Sequence, residues 1–281
     1  MLIPITSPSS RKDPCAVDLT LITRSQRASR LVLQVLVLGT AGSGKTQLSY
    51  NYTSWLRREG TDAKVVNLDP GAEVTPFDPD WDIRKIISVD RLMRNEKLGP
   101  NGAMLRAAEQ MLSESRQIVA GLESLGGEYV VLDTPGQIEL FVFHSSGPGL
   151  VGKFSEIART VWVFLLDPVL TSDPANLAAA LAQSIVVRVR LNIPLVIVAS
   201  KSDLNSRKDL ARMLSDADYL ASRVEHESTG SASEAATVLV DVIRKLPWSQ
   251  RVVSVSSVTG DGFEDLHGLL HEAFCACGDL T

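Results

Sequence analysis

The chain has 281 residues, of which 44% are hydrophobic and 22% charged, with a formal net charge of −5. At about 150 residues per domain this allows one large domain or two small ones, and the acidic balance excludes a generally basic protein that coats nucleic acid. Three cysteines, Cys15, Cys275 and Cys277, cannot build a disulfide framework, which points to a reducing, cytoplasmic setting. No uncharged apolar run of about 18 residues predicts a membrane helix, and the opening MLIPITSPSSRKDP lacks a secretory pattern.

Residues 1–30 mix Ser, Pro and Arg without periodicity and carry Arg11, Lys12, Arg24, Arg27 and Arg30 against Asp13 and Asp18. They read as a partly ordered N-terminal extension with a short extended piece at Leu19–Thr23. From residue 31 the pattern becomes regular. LVLQVLVLG (31–39) is an apolar run of strand length, suited to a strand buried on both faces. A helix is predicted over 45–59, ending near Gly60, and a second strand over 63–69. Residues 70–82, rich in Pro, Asp and Gly, read as loop. A short helix follows near 89–95, then one long amphipathic helix over 103–125 with Asn101 or Gly102 as its N-cap. Further strands are predicted at 128–133, 160–167, 193–200 and 251–257, with helices at 174–190, 207–224, 233–246 and 261–276. Six strands alternating with helices describe one α/β domain over 31–281, with a mostly parallel sheet and helices on both faces.

Gly39-Thr-Ala-Gly-Ser-Gly44-Lys45-Thr46 fits G-x-x-x-x-G-K-[ST], after a strand and before a helix. A triphosphate needs many donors in a small arc. Glycines let the chain curl round the anion, and the helix N-terminus points at it. Gly42, Ser43, Gly44, Lys45, Thr46 and Gln47 are the candidate phosphate-binding residues, with Lys45 on the β- and γ-phosphates and the Thr46 hydroxyl on Mg²⁺. Thr40 stands where partitioning-type ATPases carry a second lysine, which weighs against that class. Asp133, at the end of an apolar strand, sits where a carboxylate holds the same metal. Asp133-Thr-Pro-Gly136-Gln137 fits D-x-x-G-Q, in which Gly136 donates to the γ-phosphate and Gln137 orients water; Glu139 could add a second polar group there. Asp69, ending the second strand, is either a turn-former or a group facing the metal and water.

Ser200-Lys201-Ser202-Asp203 follows another apolar strand, where G-domains carry N-K-x-D. The Asp203 carboxylate would accept from guanine N1–H and its 2-amino group, donors that adenine lacks. Ser200 replaces the Asn, so the amide that ties this loop to the phosphate loop is lost or shortened. VSSVTGDGF (255–263) suits a loop offering Ser257 or Val258 N–H to guanine O6. His267, His271 and Cys275 fall on one face of the closing helix. With no second ligand cluster, packing is a better reading for them than a zinc site.

In this order, VVNLDPGAE (65–73), PFDPDWDIR (76–84), LGPNGA (98–103) and DTPGQIE (133–139) make the chain resemble the GPN-loop GTPases over about residues 33–275. The resemblance implies a P-loop NTPase fold and a Mg²⁺-dependent homodimer that converts GTP to GDP and phosphate. It also implies that Gly99, Pro100 and Asn101 of one subunit enter the active site of the other. There the Asn101 amide would serve where other GTPases use an arginine. Lys45, Asp69, Asn101, Gln137 and Glu139 become the catalytic set, and Thr46, Asp133 and Asp69 the metal set. Without the resemblance, Pro100-Asn101 reads only as a helix-capping turn. The client would be a protein complex under assembly, RNA polymerase in eukaryotic relatives; neither a membrane nor direct contact with nucleic acid is expected. The short length, without a long acidic tail, is closer to archaeal members. Two alternatives stand beside this one: a nucleotide-gated assembly module with incidental hydrolysis, and an ATP-dependent P-loop enzyme.

Overall fold

A computed structural model describes residues 33–138, 142–205, 207–245 and 252–276. The extension 1–30, Glu139 and Cys277 lie outside the described residues. The strands are β1 (Leu33–Gly39), β2 (Ala63–Asn67), β3 (Trp81–Asp82), β4 (Tyr129–Asp133), β5 (Arg159–Leu166), β6 (Leu195–Ala199) and β7 (Val252–Ser254). Among the described residues they form one sheet in the order β3-β2-β4-β1-β5-β6-β7, with every neighbouring pair parallel.

The helices are α1 (Lys45–Arg58), α2 (Val89–Glu96), α3 (Pro100–Ser113), α4 (Ser115–Leu125), α5 (Ser146–Ile157), α6 (Pro168–Ser172), α7 (Pro174–Leu191), α8 (Leu210–Ser215), α9 (Ala217–Glu227), α10 (Gly230–Arg244) and α11 (Phe263–Ala276). Alternation along each strand splits the core in two. Leu33, Val35 and Val37 of β1, with Val161, Val163 and Leu165 of β5, pack against Leu48, Tyr52 and Leu56 of α1 and Phe263, Leu266 and Leu270 of α11. Leu36 and Leu38, with Trp162, Phe164 and Leu166, face the other way and are covered by α2–α5 and α7–α10. Covering both faces makes the central strands mostly apolar, with Gln34 of β1 and Thr160 of β5 as buried polar exceptions.

Five expectations need correction. Residues 70–82 are not all loop: Trp81–Asp82 adds a seventh, edge strand beside β2. The predicted 103–125 helix is two helices meeting at Glu114, whose ψ of 13° leaves the helical range. Its N-cap is Gly99 rather than Asn101 or Gly102, because Pro100 takes the first helical position, where a missing N–H costs nothing. Residues 146–157, given no element from sequence, form α5, and 207–224 divides between α8 and α9 at Asp216.

Candidate active site

In an open parallel sheet, ligands bind beyond the carboxyl ends of the strands, where the chain turns to opposite sides. β1 lies between β4 and β5, and Gly39 opens the phosphate loop at that point. Gly42 (φ 80°) and Gly44 (φ 95°) take left-handed conformations that side chains disfavour. Gly44 is the N-cap of α1 and no side chain caps it, so the first-turn amides keep their donors for an anion. The first turn also carries no acidic residue.

Lys45 is buried, and its Nζ donates to the carbonyls of Gly39 (3.0 Å) and Thr40 (2.8 Å). Burial lowers its pKa, while Asp133 and Asp69 oppose the shift through their charge. Three predicted site residues from β1–α1, β2 and β4 are therefore brought together. Asp133 is 3% exposed and its Oδ1 has no hydrogen-bond partner. Burial pushes its carboxyl up to about 6, against the Thr46 hydroxyl, Lys45 and Ser49, which favour the charged form. Asp69 is also raised, first by burial, with the Gly71 N–H, Lys45 and Arg84 pulling the other way. Its Oδ1 accepts from Gly71 N–H at 2.8 Å, so the turn-forming role and the site-facing role coexist. A Cβ on Gly136 would lie 3.9 Å from Lys45 Nζ and 3.7 Å from Ala41, so this glycine sits against the phosphate loop as the motif requires. Gln137 is exposed beside it.

An orphaned, buried carboxylate oxygen next to a threonine hydroxyl is a hard-oxygen donor set, which fits Mg²⁺ completed by phosphate and water. No cluster of three or more His, Cys, Asp or Glu that could hold a metal occurs among the described residues.

Sequence reasoning missed the support for Asp69. Asn67 Oδ1 accepts the Asp69 N–H (3.0 Å), and Asn67 Nδ2 donates to Asp82 Oδ1 (3.0 Å). Arg84 grips both Asp82 oxygens and donates to the Ala72 carbonyl (2.9 Å). Burial works to raise the Asp82 carboxyl, but hydrogen bonds from Arg84 and Asn67 outweigh it and hold it below its ordinary value. The signal lay in the polar, charged DWDIR segment following the second strand.

The residues predicted to recognise the base assemble at the ends of β6 and β7. Ser200 is buried, and its Oγ reaches the carbonyls of Ser43 (2.9 Å) and Leu166 (3.0 Å). Of the two outcomes expected for the tie to the phosphate loop, lost or shortened, the structure shows the shortened one, because the Ser43 carbonyl comes close enough for a hydroxyl. Lys201 adopts φ 53°, and its Nζ donates to Gly42 O (2.7 Å) and Asp167 Oδ2 (2.8 Å). Asp203 Oδ1 accepts from Ser256 Oγ at 2.6 Å, and Asn51 of α1 donates to the Ser257 carbonyl at 2.5 Å. Val258 is 78% exposed. Gly262 (φ 81°) has no alternative: a Cβ there would lie 2.1 Å from the Ser254 carbonyl oxygen.

Gly99, Pro100 and Asn101 are exposed at the start of α3, where the Gly99 carbonyl accepts the Ala103 N–H at 2.9 Å. His267 and His271 face Tyr52 and Tyr129, whose hydroxyls hydrogen-bond to them. That pairing is the packing role preferred for them above.

Comparison with known proteins decides the family. A family model described as "Conserved hypothetical ATP binding protein" matches residues 37–276. The chain is 32% identical over 252 residues to GPN-loop GTPase PAB0955 of Pyrococcus abyssi, covering 88% of this chain and 99% of that one. The chain belongs to the GPN-loop GTPases. The crystal structure of the apo form of the Pyrococcus protein superposes with a TM-score of 0.75 at 28% identity, covering 87% of this chain and 98% of that one. GPN-loop GTPase 1 of Saccharomyces cerevisiae is 27% identical, over 82% of this chain and 63% of its own length. The P-loop NTPase fold and the GTPase activity expected from the motifs are those of this family.

Proposed function

We propose that this GPN-loop GTPase is a Mg²⁺-dependent homodimeric switch in which residues 99–101 of each subunit complete the partner's site. The observation that carries the chemistry is the meeting of Lys45, Asp133 and Asp69 at the strand ends, with Asp133 Oδ1 buried and unpartnered. Thr46 and Asp133, with Asp69 beside them, would hold Mg²⁺, which when bound supplies positive charge to the phosphate oxygens. Lys45 gives up its two carbonyl bonds and offers its ammonium to the β- and γ-phosphates. The α1 amides and Gly136 N–H donate to the oxygens on which charge develops. Gln137 orients the attacking water in line with the leaving group, and Glu139 adds a polar group near it. Without the loop in trans, turnover should resemble that of unassisted G-domains, about 10⁻³–10⁻² s⁻¹.

The exposed position of Asn101 at the head of α3 supports its use by a second subunit. Mixing two inactive variants tests this. In a dimer of Asn101→Ala with Lys45→Ala, one site combines an intact Lys45 with an intact partner loop. Restored hydrolysis is expected on mixing; a mixture as inactive as its parts would place the loop in its own subunit. Nucleotide-dependent change in the dimer would then act on a client complex under assembly, in the cytoplasm. Pull-down with GTP- and GDP-locked protein reads this as a client held in one state only. Among the described residues no helix is long and apolar enough to cross a membrane.

The family description that names ATP favours a second reading, an ATP-dependent enzyme. Asp203, held by Ser256 beside the 255–260 loop, argues for guanine. Competition between ATP and GTP for the site decides between them.

A further inference from the structure

We propose that Asp167 is a positioning residue for guanine-nucleotide binding, acting through Lys201. The inference rests on the reading of residues 200–203 as the base-recognition loop. Asp167 follows β5 directly and is 16% exposed at its side chain, while Lys201 follows β6. The Lys201 ammonium is shared between two acceptors from different parts of the fold: the Gly42 carbonyl of the phosphate loop at 2.7 Å and Asp167 Oδ2 at 2.8 Å. Its stem passes the phosphate loop closely enough that a Cβ on Gly44 would lie 3.7 Å from Lys201 Cε. The lysine backbone is left-handed, at φ 53°, a sparsely populated region for a residue with a Cβ. A long, flexible side chain on such a backbone needs anchors to lie in one direction.

Gly42 O offers a partial charge, and Asp167 offers a full one. The other carboxylate oxygen, Asp167 Oδ1, accepts from Val169 N–H at 2.9 Å and caps α6, so the carboxylate itself is held. With Ser200 Oγ bonded to Leu166 O one residue earlier, β5 fixes two successive points of the loop, one by a neutral bond and one by charge. Asp167 would not touch the nucleotide. It would fix the direction of the lysine stem that packs over the base.

Asp167→Asn separates the two roles, since the amide oxygen can still cap α6 while the charge is lost. Asp167→Ser, which can also cap, is the second variant should Asn fold poorly. The expected result is about a tenfold rise in KM for GTP and in Kd for GDP, with kcat at saturation unchanged. Lys201→Met should weaken GDP binding at least as much, and Lys201→Met/Asp167→Asn should be no worse than Lys201→Met alone. The proposal is overturned if Asp167→Asn leaves KM and GDP affinity within twofold, if it lowers kcat instead, or if the two changes add. If Lys201→Met itself leaves guanine-nucleotide affinity untouched, the base-loop reading fails and takes this inference with it; if only Asp167→Asn is silent, the base-loop reading survives alone.

Discussion

On the β2–β4–β1 side of the sheet, Asp133 Oδ1 and Ser43 Oγ are buried without partners, and Lys45 spends its ammonium on the loop's own carbonyls. On the β5–β6–β7 side, Ser200, Lys201 and Asp203 each have hydrogen bonds within 3.0 Å, and Asn51 fixes the 255–260 loop from α1. The first half leaves desolvated groups for phosphate and metal to satisfy. The second is preorganised and asks the base only to fit. Buried unsatisfied groups cost stability, so the half proposed to do the chemistry is expected to be strained without ligand, while the half proposed to select the base is not.

The largest effect should come from removing the strained charge. Asp133→Asn takes away a proposed metal ligand and several kcal/mol of charge stabilisation, so hydrolysis should fall by at least about 10²-fold. The same change relieves burial of a carboxylate whose pKa is raised to about 6. That shift corresponds to about 3 kcal/mol, so the nucleotide-free protein should melt at a higher temperature, to be read by calorimetry. Loss of both activity and stability would show that Asp133 is a satisfied structural residue. On the preorganised side, Asp203→Asn should keep the Ser256 contact and cost GTP of order 10²-fold in affinity while xanthosine nucleotides gain. A preference indifferent to this change would remove Asp203 from base selection.

Gln137→Ala should lower hydrolysis at least about tenfold at unchanged GTP affinity. Its exposure leaves stability untouched; unchanged turnover would take it out of the mechanism. Ser200→Ala removes one hydroxyl shared by two carbonyls and should cost about 1–2 kcal/mol of stability. GTP binding should weaken a few-fold because the loop loses its tie to Ser43. Ser200→Asn tests whether the longer amide crowds a site shaped to a hydroxyl; tighter GTP binding would show that serine is a compromise.

The legible parts were those in which one short stretch carries both fold and chemistry. β1 and its loop were visible because a doubly buried strand is apolar at nearly every position, Gln34 excepted, and the glycines follow at fixed spacing. Asp133, Asp203 and Lys201 were visible because each ends an apolar run. What stayed hidden depends on distance in space. Asn67 meets Asp82 across 15 positions of sequence, and two-residue β3 has no periodicity to read. α5 contains Gly147, Pro148 and Gly149 in its first turns, which read as loop signals, yet packing of Leu150, Val151 and Phe154 into the core overrides them. Ser200 left open whether the tie to the phosphate loop was lost or only shortened, because the nearness of the Ser43 carbonyl is a matter of distance in space.

The smallest expected effect sets the two sides against each other through pH. His267 faces Tyr52, Trp55, Tyr129 and His271. Burial lowers its pKa first, with the His271 charge adding to the shift, and burial lowers that of His271. Below the unfolded value of about 6.5 the unfolded chain then binds more protons than the native one, so this cluster's stability is present above that pH and is lost as pH falls through it. Asp133 works in the opposite sense. Its raised pKa means the native state binds the extra proton between about 6 and 4, so its cost fades as pH falls. In the nucleotide-free protein the two trends partly cancel, and urea midpoints should change little from pH 6.5 to 5. Asp133→Asn removes one of them, so its midpoint should drop more steeply with acid, while in His267→Phe the midpoint should rise as pH falls. Parallel pH profiles in all three proteins would show that neither group titrates on unfolding.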